Sequence, residues 1–319
     1  MRAIAGAARG VIVDFDSTVT LSQHLKQAGA DEELRSLINS LGYISLDAQH
    51  RFPEYLRGMI GSKNKYGEAV AKLDEWVNGY LCDELVKTGL VRKIYSEELK
   101  TPLTAHDGAP FVVTLDPLDG SSNIVSNNAF GMIAGIYRDD LPQKGRKLVA
   151  AVYKLFGPVN TLVYTVGKGT HEFVKHYDSS GKAQFYLLAE NMEVPEPGEV
   201  FGIGGDPLDW SPEFLKFAKD LFRKEKMKVR YSGTFVADFS QILHRGGIFA
   251  YPSTKKKPRG KLRLAYEGAP MSFIWEQAGG ASFDGKGSLL DSFDKDPDAR
   301  TPLYLGNRKL IAKLKKALK

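Results

Sequence analysis

Asp116-Pro117-Leu118-Asp119-Gly120-Ser121-Ser122-Asn123 sets two carboxylates three residues apart, astride a proline, with a glycine, two hydroxyls and an amide directly after them. The run before it, Phe111-Val112-Val113-Thr114-Leu115, is short, apolar and β-branched, which predicts a buried strand. The acids are therefore expected to leave the end of that strand at a tight turn, where backbone and side chains converge. Hard cations such as Mg²⁺ take carboxylate and carbonyl oxygens. Phosphate takes backbone N–H groups, hydroxyls and helix N-termini. One short segment offers both kinds of group, which points to metal-assisted phosphate chemistry.

Working outward, residues 18–60 read as helical, with Leu34, Leu37, Ile38 and Leu41 at helix spacing and Asp31 as an N-cap. A second helix is expected over 73–87, its apolar face made by Leu73, Trp76, Val77, Tyr80, Leu81 and Leu85. Strands are expected at 111–115, 130–137, 148–155, 161–166 and 170–175. Pro195-Glu196-Pro197-Gly198 is the best linker. Beyond it come a strand at 200–203, helices at 212–224 and 235–244, a strand at 247–251 and a terminal amphipathic helix. The fold class is α/β (α+β layered), in two fused halves, 1–195 and 196–319.

The 319-residue chain is 43% hydrophobic and 26% charged, an ordinary globular balance that can fill an ample core. No run approaches the roughly 18 apolar residues of a membrane span. Asp14 and Asp16 interrupt the N-terminus before a signal-peptide core could form. A single cysteine, Cys82, excludes an intramolecular disulfide and a multi-cysteine zinc site. A cytoplasmic protein is the expectation. The net charge of +6 is concentrated at Lys255–Arg263 and in the tail, and suits either nucleic acid or an anionic small substrate.

A divalent-metal phosphatase needs carboxylates from several segments, and one of them must also handle a proton. Glu97 and Glu98 follow the run Val91–Tyr95, at a possible strand end. Asp74 opens the helix expected at 73–87, and Glu68 falls in the loop expected before it. Glu267 follows Leu262–Tyr266 and precedes Gly268-Ala269-Pro270, again as a strand running into a turn. Taken singly each could be a surface acid; placement at strand ends favours a ligand site.

These residues also carry a resemblance. Asp116–Asn123, Lys261-Leu262-Arg263-Leu264 with Tyr266-Glu267, Pro270-Met271, Glu276-Gln277-Ala278-Gly279-Gly280 and Arg230-Tyr231-Ser232-Gly233 resemble class 1 fructose-1,6-bisphosphatase. That family is a branch of the lithium-sensitive, magnesium-dependent sugar phosphatases, with sedoheptulose-1,7-bisphosphatase as a close relative. The similarity runs from about Thr20 to Asn307. It implies the sugar phosphatase fold of alternating helix and sheet layers. It implies hydrolysis of the 1-phosphate of fructose 1,6-bisphosphate, as in gluconeogenesis, with a sedoheptulose or dual-specificity enzyme, as in the Calvin cycle, as the alternative. It implies two or three Mg²⁺ per site, with Mn²⁺ as a substitute, held by Glu97, Asp116, Asp119, Glu267 and the Leu118 carbonyl. Glu68 stands where the family usually has an aspartate. Asp74 and Glu98 match the pair that activates water. Asp119, Gly120, Ser121 and Ser122 match the phosphate-binding turn, and Arg230, Tyr231, Tyr251, Lys261 and Arg263 match sugar and distal-phosphate contacts. Arg230 reaching in from a neighbouring subunit implies a homo-oligomer, a dimer or tetramer; neither nucleic acid nor membrane is implied as a partner.

A rival reading takes Val11–Thr18 as a haloacid-dehalogenase nucleophile motif, with Asp14 forming an aspartyl-phosphate, Asp16 as acid/base, and Gly205-Asp206 with Asp209 as the later acidic motif. It leaves the Asp116–Asn123 segment unexplained. Two departures from the bisphosphatase pattern matter. Gly204-Gly205-Asp206-Pro207 lacks an amide and a phenol that commonly touch the distal phosphate. Ala28-Gly29-Ala30-Asp31-Glu32 and Pro110-Phe111 lack the threonines and the Lys-Tyr of AMP-inhibited members, and Asp31 and Glu32 would repel a phosphate. Phosphate release is therefore expected to be unchanged by millimolar AMP; clear inhibition by micromolar AMP would contradict this.

Overall fold

The computed structural model describes residues 15–59 and 63–318, and the side chains of these except Asp16 and 56–71. Four helices open it: α1 (Leu21–Gln27), α2 (Glu32–Gln49), α3 (Phe52–Met59) and α4 (Lys63–Lys87). Thr20 caps α1 in a capping box with Gln23, and Asp31 caps α2 by accepting from the Leu34 amide, so the caps end where the sequence signals them. The helix expected at 73–87 is longer than its periodicity indicated. Its backbone begins at Lys63, so Glu68 lies on α4 rather than in a preceding loop, and Asp74 lies in its middle rather than at its start.

An eight-stranded sheet follows: β1 (Val91–Ser96), β2 (Leu103–Thr104), β3 (Phe111–Asp119), β4 (Phe130–Tyr137), β5 (Leu148–Phe156), β6 (Asn160–Thr165), β7 (His171–Tyr177) and β8 (Ala183–Ala189). The spatial order is β2-β1-β3-β4-β5-β6-β7-β8, with β1 parallel to β3 and the other pairs antiparallel. β8 is an edge strand of mixed polarity (Ala183 to Ala189) and was not foreseen.

The second half contributes β9 (Val200–Ile203), α5 (Pro212–Arg223), β10 (Lys228–Val229), α6 (Phe235–Arg245) and β11 (Gly247–Tyr251). It continues with β12 (Leu262–Arg263), α7 (Ala269–Gln277), β13 (Ala281–Phe283), β14 (Arg300–Thr301), β15 (Leu303–Gly306) and α8 (Arg308–Ala317). A five-stranded sheet runs β10-β9-β11-β15-β13, and β12 pairs with β14 apart from it. Pro195–Gly198 carries no regular structure.

Packing sorts these elements into five layers. Leu25, Leu37, Leu41 and Leu81 of α1, α2 and α4 bury one face of the large sheet against Val113, Leu115, Met132 and Val152. Its other face, through Ile133, Ala151 and Tyr153, meets Val236 and Phe239 of α6 and Ile274 and Trp275 of α7. Those two helices also cover the small sheet through Phe249 and Leu303. On its far side, Ile248 and Ala250, one residue out of phase, meet Phe214 and Leu221 of α5 and Leu310, Ile311 and Leu314 of α8. This is the α/β architecture of alternating helix and sheet layers. Among the described residues no helix is long and apolar enough to cross a membrane.

One detail of β3 decides the site. The strand does not end before the acids; it runs through Asp119, and its register against β4 slips by one residue between Asp116 (opposite Ile133) and Asp119 (opposite Gly131). In a regular strand, residues three apart face opposite sides. The bulge at Pro117-Leu118 absorbs the extra residue, so both acids face the α6–α7 layer while Leu118 stays with the α1–α4 core. β5 and α6 both close on Gly131: a Cβ there would lie 2.0 Å from the Lys154 carbonyl oxygen of β5 and 2.8 Å from Val236 Cγ2 of α6. Gly131→Ala is expected to lower the free energy of unfolding by about 2 kcal/mol or more, since overpacked cores have little room to relax. Denaturant unfolding measures this; a loss below about 0.5 kcal/mol, the scale of a surface change, would contradict it.

Candidate active site

β1 and β3 run parallel, so their C-terminal ends lie side by side. The Glu97 amide donates to the Leu115 carbonyl at 3.0 Å, fixing the residue that leaves β1. α4 is tied to the same strand by Ser96 Oγ, which donates to Asn78 Oδ1 at 2.7 Å. Asp74 lies one turn before Asn78, on the same helix face, and so sits over the strand ends. There Ser121 Oγ donates to Asp74 Oδ2 at 3.2 Å.

The turn after the strand comes at Gly120, whose φ is +79°. A Cβ there would also lie 2.4 Å from the Thr234 Cβ, so glycine is needed for backbone and neighbour alike. Ser121–Asn123 then form a single 3₁₀ turn. Asp119 reaches across to the second half of the chain: its Oδ2 accepts from Thr234 Oγ1 at 2.6 Å and from the Val236 amide at 2.7 Å. Thr234 is the N-cap of α6, so a carboxylate of one half satisfies the helix start of the other.

Glu267 arrives differently from the expectation. The strand predicted over 262–266 stops at Arg263, and Leu264–Gly268 form one π-helical turn that runs into α7. A helical turn widened to i→i+5 bonds turns Glu267 inward, where its Oε2 accepts from the Arg263 amide at 2.7 Å. Tyr266, on the same turn, packs with Tyr95, Val112 and Tyr137.

These elements enclose a cleft of ≈ 360 Å³ whose walls include Asp74, Glu97, Glu98, Asp116, Leu118, Asp119, Gly120, Ser121, Ser122, Tyr251, Lys261, Arg263 and Glu267. One carboxylate oxygen from each of Glu97, Asp116 and Glu267 lies within 4.8 Å of the others. The Arg263 guanidinium contacts the Glu97 carboxylate directly and lies 3.9 Å from Asp298. Lys261 Nζ sits 3.5 Å from Tyr251 Oη, and Tyr251 and Tyr231 share a hydroxyl hydrogen bond of 2.6 Å. Arg230 and Tyr231 do not line the cleft of their own chain; the Arg230 side chain is exposed and donates to the Val229 carbonyl at 2.8 Å. Glu68 lies on α4, but its side chain falls outside the described residues.

Sequence reading missed four residues. Arg300, on β14, lines the cleft. Thr234 and the Val236 amide hold Asp119, and the N-cap rule applied to the helix expected at 235–244 would have pointed to Thr234. Asp238 is buried one turn along α6 and accepts from the Ser232 amide at 2.7 Å, which braces the 230–234 loop. The acids of the rival motif do other work: Asp206 caps a short turn by accepting from the Leu208 amide, and Asp209 pairs with Lys256 at 2.9 Å. Asp14 lies outside the described residues.

The electrostatics single out a site for cations. Burial, then the charges of Asp119 and Glu267, push the Asp116 carboxyl well above its ordinary range. Burial raises Asp119, against the hydrogen bonds from Thr234 and Val236. Glu267 is pushed up to about 7 by burial, with Asp119 adding to it. Asp74 rises to about 6, again through burial first, with the Ser121 bond opposing and Glu98 adding. Carboxylates so crowded and desolvated are stable as anions only beside positive charge. A donor set made wholly of oxygens fits a hard divalent cation.

A layered α/β body with a buried carboxylate cluster beside a Lys–Tyr pair defines a metal-dependent phosphomonoesterase. Residues 17–189 match the family model for the N-terminal domain of fructose-1-6-bisphosphatase, and residues 194–319 match that for its C-terminal domain. The class 1 fructose-1,6-bisphosphatase of Methanocorpusculum labreanum is 38% identical over 300 residues, covering 94% of this chain and 92% of that protein. The corresponding protein of Trichodesmium erythraeum is 35% identical, covering 97% of this chain and 92% of its own length. The crystal structure of Leishmania major fructose-1,6-bisphosphatase in holo form superimposes with a TM-score of 0.83 at 30% identity, covering 95% of this chain and 99% of that one. This chain belongs to the class 1 fructose-1,6-bisphosphatase family and is a phosphoric monoester hydrolase.

The raised carboxyls set a pH dependence. Between the ordinary values, 3.8 for Asp74 and 4.5 for Glu267, and the folded ones, about 6 and about 7, the folded state holds more protons than the unfolded chain. Without metal, these groups therefore make the fold less stable as pH rises through that window. In chelator, these groups are expected to lower the melting temperature between about pH 4 and about pH 7, and the gain on adding Mg²⁺ is expected to be larger at the higher pH, where the protons have already left. Thermal unfolding measures both; a Mg²⁺ gain that shrinks as pH rises would contradict the assignment.

Proposed function

We propose that the chain hydrolyses the 1-phosphate ester of fructose 1,6-bisphosphate to fructose 6-phosphate and phosphate, at the cleft between β1, β3 and α6. The single observation that carries this is the convergence of Glu97, Asp116 and Glu267 on one point, within 4.8 Å, in a cleft that also contains Ser121, Lys261 and Tyr251. Glu97, Asp116, Asp119, Glu267 and the Leu118 carbonyl would hold Mg²⁺, two or three ions if the family pattern is followed, with Glu68 as a further candidate and Mn²⁺ as a substitute. Bound there, the metal supplies a lowered water pKa and neutralisation of phosphate and leaving-group charge.

The protein's own groups do the rest. Asp74 and Glu98 accept the proton of the attacking water. A carboxyl near pH 6 is mostly ionised at neutral pH yet still basic enough to take a proton. The Asp74–Ser121 hydrogen bond orients that base. Ser122 and the backbone N–H groups of the turn after Gly120, that of Ser121 among them, donate to the reacting phosphate. Lys261 supplies a point charge and Tyr251 a hydroxyl to the distal phosphate, Tyr231 reaching that end of the cleft through its 2.6 Å bond to the Tyr251 hydroxyl, while Arg263 balances Glu97 on the cleft wall. The exposed Arg230 is assigned to a neighbouring subunit's cleft, so the working form is a homo-oligomer, a dimer or tetramer, in the cytoplasm. On this reading residues 1–195 carry the metal and phosphate turn and 196–319 the sugar-phosphate contacts.

One observation keeps the seven-carbon substrate in view. A recess of ≈ 240 Å³ opens beside Tyr251 and Lys261, between Gly204–Asp209 and Lys256–Lys257. Its room and its lysines favour acceptance of sedoheptulose 1,7-bisphosphate as a second substrate. Phosphate release from both bisphosphates, with Mg²⁺ and with or without Li⁺, tests the proposal. Asp119→Asn is expected to lower the rate by about a hundredfold or more, because even outer-shell partners of metal ligands are worth 10–100-fold. Full activity in Asp119→Asn would remove the core of the assignment.

A further inference from the structure

A second convergence of ligating side chains lies on the opposite face of the large sheet. His24 on α1, His171 at the start of β7 and Glu190 just after β8 each bring one ligand atom within 4.8 Å of the others. The two imidazoles are buried, with ring centroids 4.4 Å apart. Glu190 reaches in from the surface, its carboxylate 3.4 Å from His24 Nε2 and 57% exposed.

The hydrogen bonds around the rings orient them as metal ligands are oriented. His171 Nδ1 accepts the Asn191 amide at 3.2 Å, so its proton lies on Nε2, which donates to the Lys168 carbonyl at 2.9 Å. The lone pair left on that ring is on Nδ1, where a metal would take the place of the Asn191 amide. His24 Nδ1 lies 2.5 Å from the Tyr164 hydroxyl, a group that can accept as readily as donate. In one tautomer Tyr164 donates to Nδ1 and Nε2–H donates to Glu190 at 3.4 Å; with the proton on Nδ1 and held by Tyr164, the Nε2 lone pair instead faces the Glu190 carboxylate, the pair that an ion would bridge. In both rings the far nitrogen is anchored to an oxygen, as in ligating histidines generally.

We propose that His24, His171 and Glu190 form a binding site for a borderline divalent metal of the zinc class, with water completing the coordination. Two nitrogens and one carboxylate oxygen suit Zn²⁺ and discriminate against Mg²⁺, which prefers oxygens. The donors come from α1, β7 and the segment after β8, so the bound ion would clasp the first helix to the edge of the large sheet. It is separate from the acid cluster, whose residues face the α6–α7 layer.

The test uses the full chain in saturating Mg²⁺ and Zn²⁺ alone as the probe. X-ray absorption at the zinc edge reads imidazole ligation, and NMR follows the two histidine rings. The expected result is one zinc per chain with imidazole in its shell, retained in Glu97→Gln. Glu190→Ala changes an exposed side chain and is expected to weaken that zinc by about tenfold or more. His24→Gln is expected to abolish it. Zinc held without imidazole, no zinc held in the presence of Mg²⁺, or equal affinity in Glu190→Ala would each overturn the proposal.

Discussion

The carboxylate of Asp119 is the joint on which the molecule depends. It leaves the large sheet at the end of β3 and is received by Thr234 and the Val236 amide at the start of α6. Unpaired amides at a helix N-terminus need an acceptor, and a carboxylate taken out of water needs donors. Each half of the chain thus supplies what the other lacks. The contact fixes α6 against β4, where Gly131 leaves room for it, and so fixes the cleft between the two halves.

The rest of the site is built against stability. Asp116 and Glu267 are buried beside Asp119, and none of the three can ionise without raising the energy of the others. Such an arrangement persists because the surrounding layers are apolar, well packed and long enough to over-determine it. Arg263 against Glu97 relieves part of the charge from within the chain. The remainder is the electrostatic demand that a divalent cation would meet. Local rules fail at the places where the acids converge: a bulge in β3 and a π-turn before α7. Both are irregularities that re-aim a side chain without breaking the layer that carries it.

Much of this was legible in the sequence. The helix periodicity of α2, the cap at Asp31, strands β3 to β7 of the large sheet and the apolar stripe of the terminal helix, buried at Leu310, Ile311 and Leu314, follow from spacing and from local hydrogen bonding. Other features had no local signal. β8 mixes apolar and polar residues because it lies at the edge of the sheet, with β7 on one side and a single bridge from Thr20 to Tyr186 on the other. The first turns of α4 precede its apolar stripe, so periodicity began the helix too late. The π-turn reads as a strand because Leu262–Tyr266 is apolar in either conformation.

The sequence by itself determined the chemistry on offer. Asp116 to Asn123 dictated hard oxygen ligands next to hydroxyl donors, and Gly120 dictated where the turn must fall, because a left-handed φ of +79° tolerates little else. Tertiary structure decided which groups meet. Only pairing with β4 turns Asp116 and Asp119 to the same face, only α6 supplies the donors for Asp119, and only the stacking of α1 on β7 brings His24 to His171. Side-chain identity fixes what a group can bind, whereas register, bulges and layer packing fix its position to within the ångström or so that coordination and proton transfer require.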